Sequence, residues 1–246
     1  MNDSTSKISP GWPTHWPPDS FSGIWTWLLA AFVAGLFVLA FVAGVRTPPP
    51  ASIDPRLLIA AILLQFFFEG LLVAAVLLAL PRLSKFSLRD LGFRSLSRPA
   101  LGIAVVGAVV MALVSDGSAS LIERLAHTAH RQESVEIFKH LHDPATIAVF
   151  AVTAIVAAPI AEESIFRAFF FNLGLRYGGI WGGTLLSSVL FGLAHGDVYE
   201  AIPLALGGAV LCGVYYTSRN AFAPMISHGL FNAFTIFALL ATPLSS

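Results

Sequence analysis

Runs of about twenty nearly uninterrupted apolar residues constrain this chain more than any other feature, because each is long enough to cross a bilayer as a helix. Ile24–Val45 is one, closed by Arg46 and the helix-incompatible Pro48–Pro50. Leu57–Leu80 is a second, closed by Pro81. A third begins at Leu101 and fades near Ser115. Four more follow, Ala145–Leu175, Trp181–Ala194, Ala201–Thr217 and Phe222–Ala241, separated by short turns containing Gly or Asn. The pattern predicts an all-α polytopic membrane bundle of about seven spans, or eight if Ala145–Leu175 breaks at Pro159.

Composition agrees with the runs. Of 246 residues 56% are hydrophobic and 11% charged, with mean hydropathy +0.78, whereas a soluble domain carries about 25% charged residues. Fourteen basic and fourteen acidic side chains cancel, so the basic footprint of a nucleic-acid binder is missing and nucleic acid is set aside as a partner. The one cysteine, Cys212, lies in an apolar run and supports neither an internal disulfide nor a thiolate metal cluster.

Residues 1–23 are rich in Pro, Ser and Trp and read as a flexible tail, not a signal peptide; 24–246 read as a single transmembrane domain. Trp12, Trp16, Trp25 and Trp27 suit the headgroup level. After the second span, Arg82, Lys85, Arg89, Arg94 and Arg98 face one acid, Asp90. That excess marks the cytoplasmic side and places the N-terminus there; net neutrality and small loops suit a prokaryotic plasma membrane. Ser120–Asp143 carries mixed charge and reads as an amphipathic surface helix or helix pair on the outer side, its histidines (His127, His130, His140, His142) being solvated and not a metal cluster. In this count His195 ends its span on the outer side while His228 lies near the inner end of its own, so a shared site requires a broken, tilted or short helix.

An isolated charge at the centre of a spanning helix costs about 2.5–3.5 kcal/mol on insertion scales, so such groups usually line a cavity and have partners. Three apolar segments carry them: Glu162, Glu163 and Arg167 on the first, His195 at the end of the second, His228 and Asn232 on the third. Glu163 and Arg167 are four residues apart on one helix face and can neutralise each other. Glu162 points about 100° away and has no partner on its own helix. His228 and Asn232, also four apart, present an imidazole and an amide together. Gln65 and Glu69 form a further pair at this spacing, suited equally to the cavity or to a structural bond between helices.

A carboxylate and a neutral imidazole converging on one water can make it a nucleophile, and a second imidazole with an amide can hold an oxyanion. The expected reaction is therefore hydrolysis of a peptide bond inside the membrane. Glu162, His195 and His228 equally suit a divalent metal such as zinc, and the residues alone leave metal dependence open.

Glu162-Glu163-x-x-x-Arg167, Phe191-x-x-x-His195 and His228-x-x-x-Asn232, in this order on successive spans, resemble the three motifs of the CPBP family. That family comprises CAAX prenyl proteases of the Ras-converting type together with bacteriocin-processing and self-immunity (Abi) proteins, often labelled metalloproteases. The resemblance is closest over 159–232, and Arg89–Phe93 looks like a segment that often precedes the family core. It implies that Glu162 and His195 activate the water, that His228 and Asn232 hold the oxyanion, and that Glu163 and Arg167 support them, with Phe191 packing one turn before His195. It also implies a helical bundle around a cavity open to the membrane and the cytoplasmic side. The expected partner is a membrane-embedded or membrane-associated peptide such as a leader peptide or toxin, with a non-proteolytic immunity or peptide-binding role as the alternative.

Overall fold

The computed structural model describes residues 23–46, 55–79, 81–82, 87–127, 138, 141 and 143–241. Trp12, Trp16, His130, His140, His142 and most of Ser120–Asp143 fall outside them. Every regular element described is helical: α1 (Ile24–Arg46), α2 (Pro55–Ala74, continued by a π segment at Ala75–Ala79), α3 (Arg98–Ala126), α4 (Pro144–Val152), α5 (Ala158–Ile165), α6 (Asn172–Ala194), α7 (Ala201–Ser218) and α8 (Phe222–Ala241). Two further π segments, Thr153–Ala157 and Phe166–Phe171, join α4 to α5 and α5 to α6 without a break.

Six helical stretches among the described residues are long and apolar enough to cross a membrane, and one of them, Pro144–Ala194, is 51 residues long. That stretch reverses at Gly178 and Gly179, where the backbone leaves helical geometry and Gly179 takes φ +59°, a conformation that costs residues with a Cβ. Folded back in this way, the stretch forms two antiparallel limbs, with Gly174 against Gly182 and Gly183. The chain is an integral membrane protein of all-α architecture.

Pro159 does not break its span. It sits in the first turn of α5, where a missing N–H costs least, behind a π turn in which Ala158 N–H reaches back to the Thr153 carbonyl. The third span does not fade at Ser115 either. Ser115 Oγ donates to the Pro203 carbonyl on α7 and Ser118 Oγ to the Ser115 carbonyl, so the polar residues are satisfied and the helix runs on to His127, whose left-handed conformation caps it. The first part of the expected surface segment is thus the end of α3. Phe138, further along, is buried with its ring 5.5 Å from that of Phe150.

The core lies around Phe166–Phe171, where all six side chains are buried. Phe37 of α1 stacks on Phe166 at 5.0 Å between ring centroids. Below this core, Arg89–Phe93 packs under the α7–α8 turn. Ala221 N–H donates to the Gly92 carbonyl, Tyr215 Oη to the Leu91 carbonyl, and Arg94 to the Arg219 carbonyl. Asn172, Tyr215 and Leu91 form one continuous hydrogen-bonded line, which fixes the end of the long helix against this turn.

Candidate active site

Glu162 lies sixteen residues before Gly178, and His195 sixteen residues after Gly179. At about 1.5 Å per helical residue, both stand roughly 24 Å from the reversal. The antiparallel limbs bring both to one cavity, and the expected offset between His195 and His228 is bridged by Phe191, whose ring meets both imidazoles. The limbs can lie close because Gly174 faces Gly182 and Gly183: a Cβ on Gly174 would stand 2.6 Å from the Gly182 carbonyl oxygen.

A π segment begins immediately after α5, at Phe166. The carbonyls freed by its wider turn find other donors: Ser187 Oγ on the Phe166 carbonyl at 2.8 Å, and Asn172 Nδ2 on those of Arg167 and Ala168. Such bulges place side chains where a regular helix would not.

Arg167 Nη1 donates to Glu163 Oε1 at 2.9 Å, with both side chains fully buried. The pair expected from spacing is present, and it has two further partners. Arg167 Nη2 donates to the Gly208 carbonyl of α7 at 3.1 Å, and His228 Nδ1 lies 3.0 Å from the same Glu163 Oε1. A carboxylate already accepting from a guanidinium has only acceptor sites to offer, so His228 Nδ1 carries the hydrogen and Nε2 is left as the second functional atom.

That Nε2 stands 4.0 Å from Glu162 Oε2. The gap is too long for a direct hydrogen bond and suits one water bonded to both. Glu162 Oε2 has no hydrogen-bond partner, although the side chain keeps 20% exposure, and it lines a cavity of about 380 Å³. His195 lines the same cavity. Its Nδ1 is 2.8 Å from the Phe191 carbonyl, which can only accept, so its Nε2 carries the lone pair.

Phe191 packs as expected, and centrally. Arg167 Cζ lies 4.5 Å from its ring centroid, with the rings of His195 and His228 at 4.9 and 5.6 Å. One aromatic ring thus holds the guanidinium and both imidazoles in place.

Asn232 also lines the cavity, but one of its amide hydrogens is taken: Nδ2 donates to the Ala154 carbonyl at 2.7 Å. The local backbone explains this. Ala158 N–H is bound to Thr153 and Pro159 has no N–H, so the Ala154 carbonyl lacks the helix donor it would otherwise have. The second amide hydrogen is the one that can reach a ligand.

Gln65 Nε2 donates to Glu69 Oε1 at 2.8 Å. Glu69 is within electrostatic reach of His195 but is not among the cavity-lining residues. Sequence reasoning missed Asp116 and Glu200, which do line it. Asp116 left a signal, an ionisable residue inside a helical run, hidden because the span was ended one residue before it. Among the described residues, no group of three or more His, Cys, Asp or Glu is arranged to hold a metal ion.

Comparison with known proteins fits this arrangement. Residues 144–234 match the family model described as type II CAAX prenyl endopeptidase, Rce1-like. YdiL of Bacillus subtilis (strain 168), named as a membrane peptidase, is 26% identical over 171 residues, 68% of each chain. The membrane-embedded CAAX protease MroQ of Staphylococcus aureus (strain USA300) is 30% identical over 106 residues, 39% of this chain and 42% of that protein. No solved structure gives a significant match. Residues 144–234, which hold all three motifs, thus carry the likeness to the Rce1-like CAAX endopeptidase family model.

Proposed function

We propose that the chain is an intramembrane endopeptidase of the plasma membrane, N-terminus cytoplasmic, which cuts a membrane-associated peptide with Glu162 as its principal base. The observation that carries this reading is the unpartnered Glu162 Oε2 in a cavity shared with His195, His228 and Asn232.

A water beside Glu162 Oε2, oriented by the His195 Nε2 lone pair, attacks the scissile carbonyl and gives its proton to Glu162. The carbonyl oxygen becomes an oxyanion, held by His228 Nε2–H and the second Asn232 amide hydrogen. Because Nδ1 already donates to Glu163, a donating Nε2 makes His228 an imidazolium, and the Glu163 carboxylate 3.0 Å away supports that charge. When the C–N bond breaks, Glu162 returns the proton to the leaving amine and the oxyanion collapses to a carboxylic acid, whose remaining proton passes to the freed Glu162 carboxylate.

The test is cleavage of a membrane-peptide library by purified protein beside Glu162→Ala and His195→Ala. Undiminished cleavage by both variants would overturn the proposal. Full complementation of a deletion strain by Glu162→Gln would assign the chain to the peptide-binding or immunity reading, in which occupying the cavity is enough.

A further inference from the structure

The charged residues of this protein are sorted by end. Arg82, Arg89, Arg94, Arg98, Arg176 and Arg219 lie where α2 ends, α3 begins, the 144–194 stretch reverses and α7 meets α8, and Asp90 is their one acidic neighbour among the described residues. Hydrogen bonds gather these points together: Arg94 and Asn220 tie the α3 approach to the α7–α8 turn, and Asn172 through Tyr215 ties in the long helix just ahead of Arg176. At the opposite end the described charges are Asp116, Glu123, Asp143, Asp197 and Glu200, with Arg124 and with Arg46 and Arg56 where α1 ends and α2 begins.

The cavity lies toward that second end. On α3 its wall runs from Met111, at the middle of the helix, to Ala119 in the half away from Arg98. Elsewhere it takes in His195, Glu200 and Leu204 around the α6–α7 connection, and α8 from His228 outward to Leu239. None of its lining residues belongs to the basic end, while exposed Asp116 and half-buried Glu200 mark its outer rim.

Short loops rich in Lys and Arg stay in the cytoplasm. We infer that the cavity is entered from the non-cytoplasmic face, so its substrate is a peptide segment that has already crossed the membrane and lies at the outer leaflet. This deepens the peptidase reading and rests on it for the word substrate. It departs from the cytoplasmic opening implied by the family resemblance. A precursor of this kind has to be supplied by a translocation step, and the product is released outside.

Cysteine labelling tests the inference without depending on activity. The parent chain has one cysteine, Cys212, fully buried, as its background. Asp116→Cys and Glu200→Cys at the rim, and Thr217→Cys on the exposed surface of the basic end, are treated in spheroplasts with a membrane-impermeant maleimide. The rim cysteines should label in intact spheroplasts and Thr217→Cys only after lysis. The reverse pattern, or all three labelling on one side, overturns the inference; two rim positions guard against one variant failing to fold. In a second arm, anchored reporter peptides carry the cleavable segment inside or outside, and only the outside form should be cut. Cutting of the inside form alone overturns the access route and leaves the peptidase reading intact, whereas cutting of neither, with labelling as expected, counts against the peptidase reading alone.

Discussion

Oε1 of Glu163 lies 3.0 Å from His228 Nδ1 and 2.9 Å from Arg167 Nη1, so one carboxylate oxygen joins two of the three helical segments that carry the site. Neighbouring Glu162 has its Oε2 without any bond. Two adjacent glutamates thus do different work: one orients an imidazole and balances a buried guanidinium, the other faces the cavity.

Removing the Glu163 carboxylate leaves Arg167 buried without a counter-charge, and breaking a buried pair in this way costs about 3–5 kcal/mol. Glu163→Ala should give a lower folded yield and a lower melting temperature in detergent. Glu162→Gln should melt like the parent while cleavage falls by about 10²–10⁴-fold. Equal effects from the two variants would erase the distinction.

Asn232→Ala strips the Ala154 carbonyl of its donor, a loss of about 1–3 kcal/mol for a buried acceptor. If the second amide hydrogen holds the oxyanion, kcat should also fall by about 10²–10³-fold in the folded fraction. A variant that melts lower yet cleaves at the parental rate would assign Asn232 to Ala154 alone.

Gly174→Ala places a methyl group 2.6 Å from the Gly182 carbonyl oxygen. The two limbs of the 144–194 stretch must then separate or slide, at a cost of about 1–3 kcal/mol, and His195 moves relative to Glu162. Cleavage should drop although no cavity residue has changed. Gly102→Ala, with open space around its Cβ, is the control and should leave both stability and cleavage close to the parent.

Glu162 Oε2 and His228 Nε2 stand 4.0 Å apart, and the described residues bring no third donor into a ligand cluster with them. Cleavage should therefore survive a strong chelator, with no stoichiometric metal in the active preparation by elemental analysis. Loss of activity on chelation, restored by one divalent ion, would require a metal-assisted route instead.

Phe191 beneath His195 was expected from the family resemblance; the Glu163–Arg167 pair and the separate bearing of Glu162 were legible from spacing of four along a helix, because local geometry alone sets which side chains share a face. The bond from Glu163 to His228 was not. It joins residues far apart in sequence, and no periodicity encodes how two helices meet. Asn232 shows the same limit: its amide was visible as a polar group in an apolar helix, but its bond to Ala154 depends on a π turn and on Pro159 lacking a hydrogen.

The sequence by itself determined the membrane environment and the helical class, since long apolar runs admit few other structures in lipid, and it singled out the polar side chains inside those runs, since charges there are costly enough to need a partner. Only the tertiary structure decided that they meet. The reversal at Gly178 and Gly179 brought Glu162 and His195 to one cavity, the α7–α8 turn brought His228 against Glu163, and helix packing left the cavity toward the end away from the basic loops. Those outcomes follow from close approach of backbones and from buried polar groups finding partners across helices, neither of which exists until the chain is folded.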